Sequence, residues 1–389
     1  MLRLSRIFLP LGLVAVIVTA CLSPNGNRPA PDSSPDMDAL MTQAVGTAMA
    51  GFVTPTPLPT ETPLPTVTMP PRTPPALPPT YSTSVLNRLD TPHTYIADTC
   101  QYLQDKWNPE NAQPGTIVMV VMLHSINREG VDDPNDITVA DFNKMMNALK
   151  EQSFEAINAT QLADFLDHNA KIPPRSVVLI QDDRHYAENF DQHFRPYWEQ
   201  WGWPVVNAWI SVEDGIRNIV LPENIALAVE GWVDYQSHGY VHNIPMGDSS
   251  AEEFIRGEFQ GSMQDLQQNF NKTPVAIIWP GGGFGLRPVQ IGREYGYRLG
   301  FTVNPRGPLM YNWIPLADQA DPGRPSFLPE GPVGDPRMTL PRYWPNQVLP
   351  NIDVVRNMGN EAAAYAEQNK AIELEYYDIV CSPGYGPIP

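Results

Sequence analysis

From Pro114 onward, short apolar runs alternate with stretches of helical periodicity. The apolar runs predict six strands, at Ile117–Leu123, Ser176–Ile180, Val205–Ile210, Trp232–Ser237, Val275–Ile278 and Leu299–Val303. The predicted helices between and after them begin behind the N-cap Thr138 and cover Thr160–Leu166, Ala187–Gln200, Ala251–Phe270, Val289–Tyr295 and Val354–Lys370. Strands that alternate with helices are typical of βα units on a parallel sheet. The sequence therefore predicts an α/β fold.

Polar clusters follow four of these strands directly. They are His124-Ser125, Asp182-Asp183-Arg184, His238-Gly239-Tyr240-Val241-His242 and Trp279-Pro280-Gly281-Gly282. Parallel sheets place their chemistry at the carboxyl ends of strands. We therefore expect one functional site where these four clusters meet.

The acid pair and the two histidines fit a metal site. Side chains alternate along a strand, so Asp182 and Asp183 point different ways, which suits one metal ligand and one acid beside it. On a helix or a tight helical turn, His238 and His242 would share a face and one ion. Three protein ligands leave a position open for water or substrate. The alternatives are solvated acids that open a loop and two unrelated surface histidines.

Together, Asp182-Asp183, His238-x-x-x-His242 and Trp279-Pro280-Gly281-Gly282 resemble the motifs of the polysaccharide deacetylases, the NodB-homology group or carbohydrate esterase family 4. The resemblance covers about residues 114–350. It implies a distorted (β/α) barrel with fewer than eight regular strands. It also implies that Asp182 is the catalytic base, that Asp183, His238 and His242 bind a divalent metal, and that the activity removes acetyl groups from N-acetylglucosamine units.

Three stretches look like the branch of that family acting on exported poly-N-acetylglucosamine: Val121-Met122-Leu123-His124-Ser125, Trp279-Pro280-Gly281-Gly282 and Thr339-Leu340-Pro341-Arg342-Tyr343. This resemblance implies substrate contacts from Trp279, Pro280, Gly281, Gly282 and Arg342. The implied metal is Zn²⁺, with Co²⁺, Ni²⁺ or Fe²⁺ as alternatives.

The chain departs from the family pattern at four places. Arg184 replaces a Gly, which adds a charge at the cleft entrance; Gly239 replaces a Ser or Thr; and Ile278 replaces an Arg that would pair with the base. The late Leu-x-His motif reads Leu340-Pro341-Arg342, so the usual general acid is missing.

Two other histidines are candidates for the missing general acid, His124 and His185. A structural role for each of them is the alternative. The departures also leave two other functions open: a catalytically impaired lipoprotein that binds glycans or acts as a scaffold, and an esterase for O-acetyl groups of the xylan type.

The N-terminal part of the sequence suggests export and anchoring. Residues 1–20 have a basic start and an apolar middle, as in a signal peptide, and Val18-Thr19-Ala20-Cys21 resembles a lipobox that implies lipidation of Cys21. An ordinary signal peptide with a chance cysteine is the alternative. Residues 21–83 are expected to form an anchored linker, because Pro and Thr supply 19 of the 27 residues from Thr54 to Thr80. We expect the protein at the outer face of the cell membrane.

The rest of the predicted organisation concerns residues 84–113, an N-terminal extension, and residues 351–389, a C-terminal helix and tail. Cys100 and Cys381 flank the predicted domain and are expected to form a disulfide in an oxidising compartment.

The formal net charge of −18 argues against a nucleic-acid partner, which requires basic patches. The expected partners are an acetylated polysaccharide and, through the lipid anchor, the membrane.

Overall fold

The computed structural model describes residues 38, 41–42, 72–131 and 133–389. The chain divides into two units, Met1–Pro70 and Pro71–Pro389. The expected signal peptide, Cys21 and most of the expected linker lie outside the described residues. Residues 72–83, the end of that linker stretch, belong to the second unit. In the described part of the chain, no helix combines the length and hydrophobicity that a membrane span requires.

The second unit is built on a parallel sheet. Its strands are β2 (Ile117–Leu123), β5 (Glu155–Ala156), β6 (Arg175–Asp182), β7 (Val205–Trp209), β8 (Val233–Ser237), β9 (Ala276–Ile278) and β10 (Leu299–Phe301). They are ordered β10-β9-β8-β7-β6-β2, with β5 also paired to β6. All seven residues of β2 are buried, as expected for a strand covered on both faces.

An irregular segment, Leu340–Tyr343, joins the two edges of this sheet. Leu340 forms a parallel bridge with Phe301 of β10, and Tyr343 forms one with Val121 of β2. Backbone hydrogen bonds support both bridges, at 2.7 Å from Leu340 N to Gly300 O and 2.7 Å from Tyr343 N to Val120 O. The sheet is therefore curled into a distorted (β/α) barrel, which confirms the expected fold class.

Helices surround the barrel. They are α1 (Thr99–Trp107), α2 (Val139–Glu151), α3 (Ala159–His168), α4 (Ala187–His193), α5 (Arg195–Trp201), α6 (Gly215–Glu230), α7 (Glu252–Phe270), α8 (Leu286–Glu294), α9 (Pro345–Tyr376) and α10 (Ser382–Tyr385). The predicted N-cap is confirmed, since the Thr138 side chain accepts a hydrogen bond from Asp141 N. The helix predicted at Ala187–Gln200 is divided at Phe194.

Sequence reasoning missed α6 entirely and shortened α9. Both helices contain an internal proline, Pro222 in α6 and Pro350 in α9. Proline removes a backbone donor and disfavours a helix interior, so propensity alone argues against both elements. Tertiary packing overrides that preference here: Val220 and Leu227 of α6 and Val348 and Ile352 of α9 are buried in the core.

Smaller elements complete the unit. Strand β1 (Asp90–His93) pairs antiparallel with β11 (Ile314–Ala317), and β3 (Ser125–Asn127) pairs with β4 (Asp136–Thr138). The predicted disulfide is present: Cys100 of α1 is bonded to Cys381, at the end of the π-helical segment Tyr377–Cys381. This bond joins the N-terminal extension to the C-terminal tail.

Candidate metal centre

The acid pair lies at the carboxyl end of β6. Asp182 is the last residue of the strand and is buried, while the side chain of Asp183 is 39% exposed. Asp183 has a φ of 69°, so the backbone turns sharply between the two carboxylates. Asn207 stabilises this turn, because its side-chain amide donates to the carbonyl oxygens of Gln181 and Asp183. One carboxylate therefore lies inside the barrel and its neighbour at the rim.

The two histidines follow β8 on a loop. The expectation that they lie on a helix or a helical turn is wrong, since the backbone from His238 to His242 is not helical. Gly239 and His242 both have positive φ, 78° and 68°. The turn nevertheless brings the two imidazoles together, with ring centroids 4.2 Å apart.

Asp183, His238 and His242 converge in space. The His238 Nε2 and His242 Nε2 atoms lie 3.7 and 3.8 Å from Asp183 Oδ1. One ligand atom from each residue lies within 4.8 Å of the other two. The three groups are thus close enough to share one cation, as the sequence predicted.

The chemistry of these donors fits a divalent metal. The Nδ1 of His238 lies 2.8 Å from the Ile278 carbonyl oxygen and donates to it, which leaves Nε2 with a free lone pair facing Asp183. Burial lowers the pKa of His238 to about 4, although the charge of Asp182 opposes this shift. The imidazole is therefore neutral at pH 7 and able to bind a metal. One carboxylate with two imidazoles is a ligand set typical of Zn²⁺.

A buried glutamate fixes the histidine loop. The carboxylate of Glu258, on α7, accepts hydrogen bonds from Tyr240 N at 2.8 Å, Val241 N at 2.9 Å and His242 N at 3.4 Å. Glu258 is only 2% exposed. These charge-assisted bonds compensate the cost of burying the carboxylate and hold His242 in its left-handed conformation.

The same glutamate explains one departure from the family pattern. A Cβ atom at position 239 would lie 2.5 Å from Glu258 Oε2 and 2.9 Å from Pro280 Cγ. The positive φ of Gly239 adds strain for any other residue. The space that a Ser or Thr side chain would need is thus occupied by Glu258, which supports the loop instead.

Two side chains contact the Asp182 carboxylate, an arginine and a histidine. Arg342 Nη1 lies 2.7 and 2.9 Å from the two carboxylate oxygens, and His124 Nε2 lies 3.5 Å from Oδ2. Burial alone would raise the pKa of the Asp182 carboxyl, but the groups around it, with the Arg342 guanidinium first, outweigh burial and lower it. Asp182 is therefore ionised, as a proton acceptor must be.

The predicted substrate contact by Arg342 is wrong. Its side chain is 1% exposed, and its Nε donates to the Thr302 carbonyl oxygen at 2.7 Å while Nη1 binds Asp182. Arg342 positions the candidate base instead. It replaces the ion-pair partner that was expected to be lost with Ile278, and it comes from the segment that closes the barrel.

The predicted role of the Trp279-Pro280-Gly281-Gly282 turn also needs correction. Trp279 is fully buried and its Nε1 donates to the Met338 carbonyl oxygen at 2.8 Å, so its ring is not available to a sugar. Pro280 and Gly282 are buried as well, and only Gly281 is exposed. The turn instead supports the histidine loop, through Pro280 against Gly239 and through the bond from His238 to Ile278.

The two candidate general acids differ in position. The His124 side chain is 27% exposed and lies beside the Asp182 carboxylate, at the end of β2. His185 Nε2 lies instead 2.9 Å from the Asp182 carbonyl oxygen and 2.8 Å from Gln181 Nε2. Burial lowers the pKa of His185. His124 thus has the geometry of a group that shares a proton with the site, and His185 that of a support for the turn.

The expected extra charge from Arg184 is neutralised. Its guanidinium binds Asp214 through two nitrogens, at 3.0 and 2.6 Å, and its side chain is 10% exposed. Asp214 is also the N-cap of α6, since it accepts from Arg217 N at 2.7 Å. Arg184 therefore joins the site loop to α6 rather than presenting a free charge to the cleft.

Sequence reasoning missed Glu258 and Asn207. A signal for Glu258 was available: it stands on the apolar face of α7 with Ile255, Phe259 and Ser262, all buried. An acid on such a face requires a partner. Asn207 is a polar residue inside the apolar run of β7, which also indicates a buried group that needs a hydrogen-bond partner. The indication is weaker than for Glu258 because an amide carries no charge.

No protein-family model matches the chain, and no curated protein matches it either. Solved structures do show similarity. A deacetylase, PplD, from Streptococcus pyogenes is 16% identical over 63% of this chain and 99% of its own, with a TM-score of 0.48. A de-N-acetylase from Aggregatibacter actinomycetemcomitans is 16% identical over 61% and 99%, with a TM-score of 0.46. A polysaccharide deacetylase from Bacillus cereus is 18% identical over 61% and 69%, with a TM-score of 0.42.

Proposed function

We propose that this protein is a metal-dependent hydrolase that removes acetyl groups from an N-acetylated polysaccharide. The observation that carries the proposal is one arrangement of side chains. Asp183, His238 and His242 converge on one point, and an ionised carboxylate, Asp182, is held next to them by Arg342. These groups, at the carboxyl ends of β6 and β8, would supply a metal site and a base to the proposed hydrolysis.

The three ligands would hold a divalent cation, which supplies Lewis-acid polarisation of a carbonyl and a lowered pKa for water. The proposed metal is Zn²⁺, with Co²⁺, Ni²⁺ and Fe²⁺ as alternatives. Three protein donors leave room for substrate, because a catalytic site of this type keeps at least one position open.

The chain's own acid and base are Asp182 and His124. Asp182 accepts a proton from the attacking water, and its ion pair with Arg342 keeps the carboxylate ionised and fixed in place. His124, 3.5 Å from that carboxylate, donates a proton to the departing amine. Since His124 contacts Asp182 directly, the two groups act at one place in the cleft.

The structural compensations favour an active enzyme over an impaired one. Glu258 supports the loop where Gly239 lacks a hydroxyl, and Arg342 pairs with Asp182 where Ile278 cannot. Arg184 is neutralised by Asp214. The departures that suggested a loss of turnover therefore have partners elsewhere in the chain.

We also propose that the enzyme acts outside the cell. The basic and apolar start of the sequence and the lipobox-like Val18-Thr19-Ala20-Cys21 support export and lipid anchoring through Cys21. An anchored enzyme with a Pro- and Thr-rich spacer would act on a glycan near the membrane surface.

Acetate release from N-acetylglucosamine oligomers tests the catalytic proposal. The full chain loaded with Zn²⁺ is expected to release acetate, and chelation is expected to abolish the release.

Asp182→Asn is expected to lower kcat by at least about 100-fold, the usual contribution of a general base. The matched control is Asp191→Asn, a carboxylate exposed on α4. Full activity in Asp182→Asn, or in the chelated protein, would contradict the proposal. A preference for O-acetylated xylan would assign the same site to the esterase alternative.

A further inference from the structure

A cavity lies at the opposite end of the barrel from the candidate metal centre. It has a volume of about 280 Å³ and is lined by Gly115 and Thr116, which directly precede β2. The candidate general acid His124 follows the other end of the same strand. Seven residues of strand span about 23 Å, so the cavity is separate from the metal centre.

Aromatic side chains form much of the wall. They come from five parts of the sequence: Tyr81, Tyr102, Phe165, Tyr311 with Trp313, and Tyr365. Residues 77–81 form part of this wall. Two hydrogen bonds hold this segment in place, from Tyr365 Oη to Pro79 O and from Trp313 Nε1 to Tyr81 O. Aromatic faces of this kind bind flat apolar surfaces, including the C–H faces of sugar rings.

Three polar side-chain atoms in the same wall lack a protein partner. Thr116, Asn169 and Asn312 line the cavity and are 4%, 3% and 7% exposed. Within residues 72–131 and 133–389, Thr116 Oγ1, Asn169 Oδ1 and Asn312 Nδ2 have no hydrogen-bond partner, while the other side-chain polar atoms of both asparagines do. None of these three atoms is itself fully buried, so each is accessible from the cavity and can form a hydrogen bond with a polar occupant.

The chemistry of the wall restricts that occupant. The unpaired groups include a donor, an acceptor and a hydroxyl that can do both, so an acyl chain would leave them unsatisfied. The wall carries no net charge from Lys106 and Glu373, because these two residues form an ion pair at 2.7 Å. A neutral, hydroxyl-rich ring with apolar faces satisfies all of these conditions.

We propose that this cavity binds one sugar ring of a neutral glycan. Its volume lies just below that of typical ligand pockets, about 300–1,000 Å³, which fits one ring rather than a longer segment. The cavity is a binding site without catalytic groups. It would hold a glycan end at a distance from the metal centre.

Binding of N-acetylglucosamine and its soluble trimer to the detergent-solubilised full chain tests the proposal. Only the choice of these two probes rests on the proposed function. Two variants separate the sites: Asp183→Asn impairs the metal centre, and Tyr102→Phe with Thr116→Val removes two cavity hydroxyls at nearly constant volume. Tyr102 Oη has no hydrogen-bond partner in the described chain, so its loss breaks no protein contact.

Isothermal titration calorimetry is expected to show saturable binding in wild type and in Asp183→Asn, and at least tenfold weaker binding in the double variant. The double variant is expected to show a cooperative thermal transition like that of wild type. Its rate of acetate release should stay within about twofold of wild type, since the variant touches no candidate catalytic group. If it does not fold, Ala366→Leu, which narrows the cavity from α9, replaces it.

Three results would overturn the cavity site. The first is binding that disappears in Asp183→Asn, which assigns all affinity to the metal centre. The second is wild-type affinity in the folded double variant, which places the binding outside the cavity. The third is no binding of either probe at millimolar concentration, which assigns the cavity to water alone. A failure of acetate release with intact cavity binding would contradict only the proposed catalysis.

Discussion

At the scale of single residues, side chains from other segments compensate for two groups that the candidate site lacks. Gly239 lacks a hydroxyl because Glu258 occupies the space beside it, and Ile278 lacks a charge that Arg342 supplies from another segment. Each substitution would weaken the site by itself. Together with its partner, each keeps the candidate ligands and the candidate base in a fixed position.

Glu258→Gln tests the support of the histidine loop. An amide cannot accept three backbone N–H groups as a carboxylate does, so His242 should lose its fixed orientation. We expect metal affinity to fall about 10- to 100-fold, as for other groups that orient metal ligands. Competition with a chelating indicator measures the Kd. The control is Glu253→Gln, an exposed position on the same helix. Equal affinity in the two variants would show that Glu258 has no part in metal binding.

Arg342→Met tests the ion pair of the candidate base. Removing one partner leaves Asp182 buried without its main counter-charge, so the free energy of unfolding should fall by about 3–5 kcal/mol. Adding Asp182→Asn should restore part of that loss, because the uncompensated charge disappears. Urea titration of both variants measures the coupling. Arg88→Met, at an exposed arginine without an ion-pair partner in the described chain, should change stability by less than about 0.5 kcal/mol. A similar small effect for Arg342→Met would refute the buried pair.

The sequence could predict that the three candidate ligands converge but not what surrounds them. Asp183, His238 and His242 follow strands whose carboxyl ends meet by the rules of parallel sheets, so their convergence was accessible. Arg342 lies 160 residues from Asp182 on an irregular segment, and no local pattern connects the two. Trp279 was misassigned because an aromatic residue beside a glycine turn reads the same whether its ring is exposed or buried.

At the scale of secondary structure, the packing of α9 against the start of β2 decides how the barrel is covered. Gly359 of α9 and Gly115 face each other: a Cβ at 359 would lie 2.9 Å from Gly115 O, and one at 115 would lie 2.5 Å from Gly359 O. The helix can approach the strand this closely only because both residues lack side chains. Helix propensity gives no indication of this contact, as it gave none of α6.

A pair of glycine substitutions tests this contact. Gly359→Ala should destabilise the protein by about 1–3 kcal/mol, because the added methyl group overpacks the interface. Gly257→Ala, on α7, should instead stabilise by about 0.5–1 kcal/mol, since its Cβ would meet nothing within 4 Å and alanine favours a helix. Thermal and urea denaturation measure both. Stabilisation by Gly359→Ala would mean that the helix and the strand lie further apart.

At the scale of the whole molecule, two long-range closures stabilise the barrel and the segments packed on it. The segment Leu340–Tyr343 joins β10 to β2, and the disulfide Cys100–Cys381 joins residues 281 positions apart outside the barrel. The first closure also brings Arg342 to Asp182, so the fold and the site depend on the same segment. The second holds the extension and the tail, which both contribute to the aromatic cavity, against the barrel.

Replacing both cysteines tests the second closure. Cys100→Ser with Cys381→Ser should lower the free energy of unfolding by about 2–5 kcal/mol, because the cross-link restricts a long loop in the unfolded chain. The metal centre should be intact in this variant at 25 °C, since neither cysteine lies near it. Urea denaturation with and without a reductant measures the effect. Unchanged stability of the wild-type protein under reduction would contradict it.

Metal stoichiometry measures the central claim most directly. Titration of the chelator-treated full chain with Zn²⁺, in competition with an indicator, should give one tight site per chain. Asp183→Asn, His238→Ala and His242→Ala should each weaken that site by at least about tenfold, since each removes one of three ligands. No tight site in the wild-type chain, or unchanged affinity in all three variants, would show that these residues do not form a metal centre.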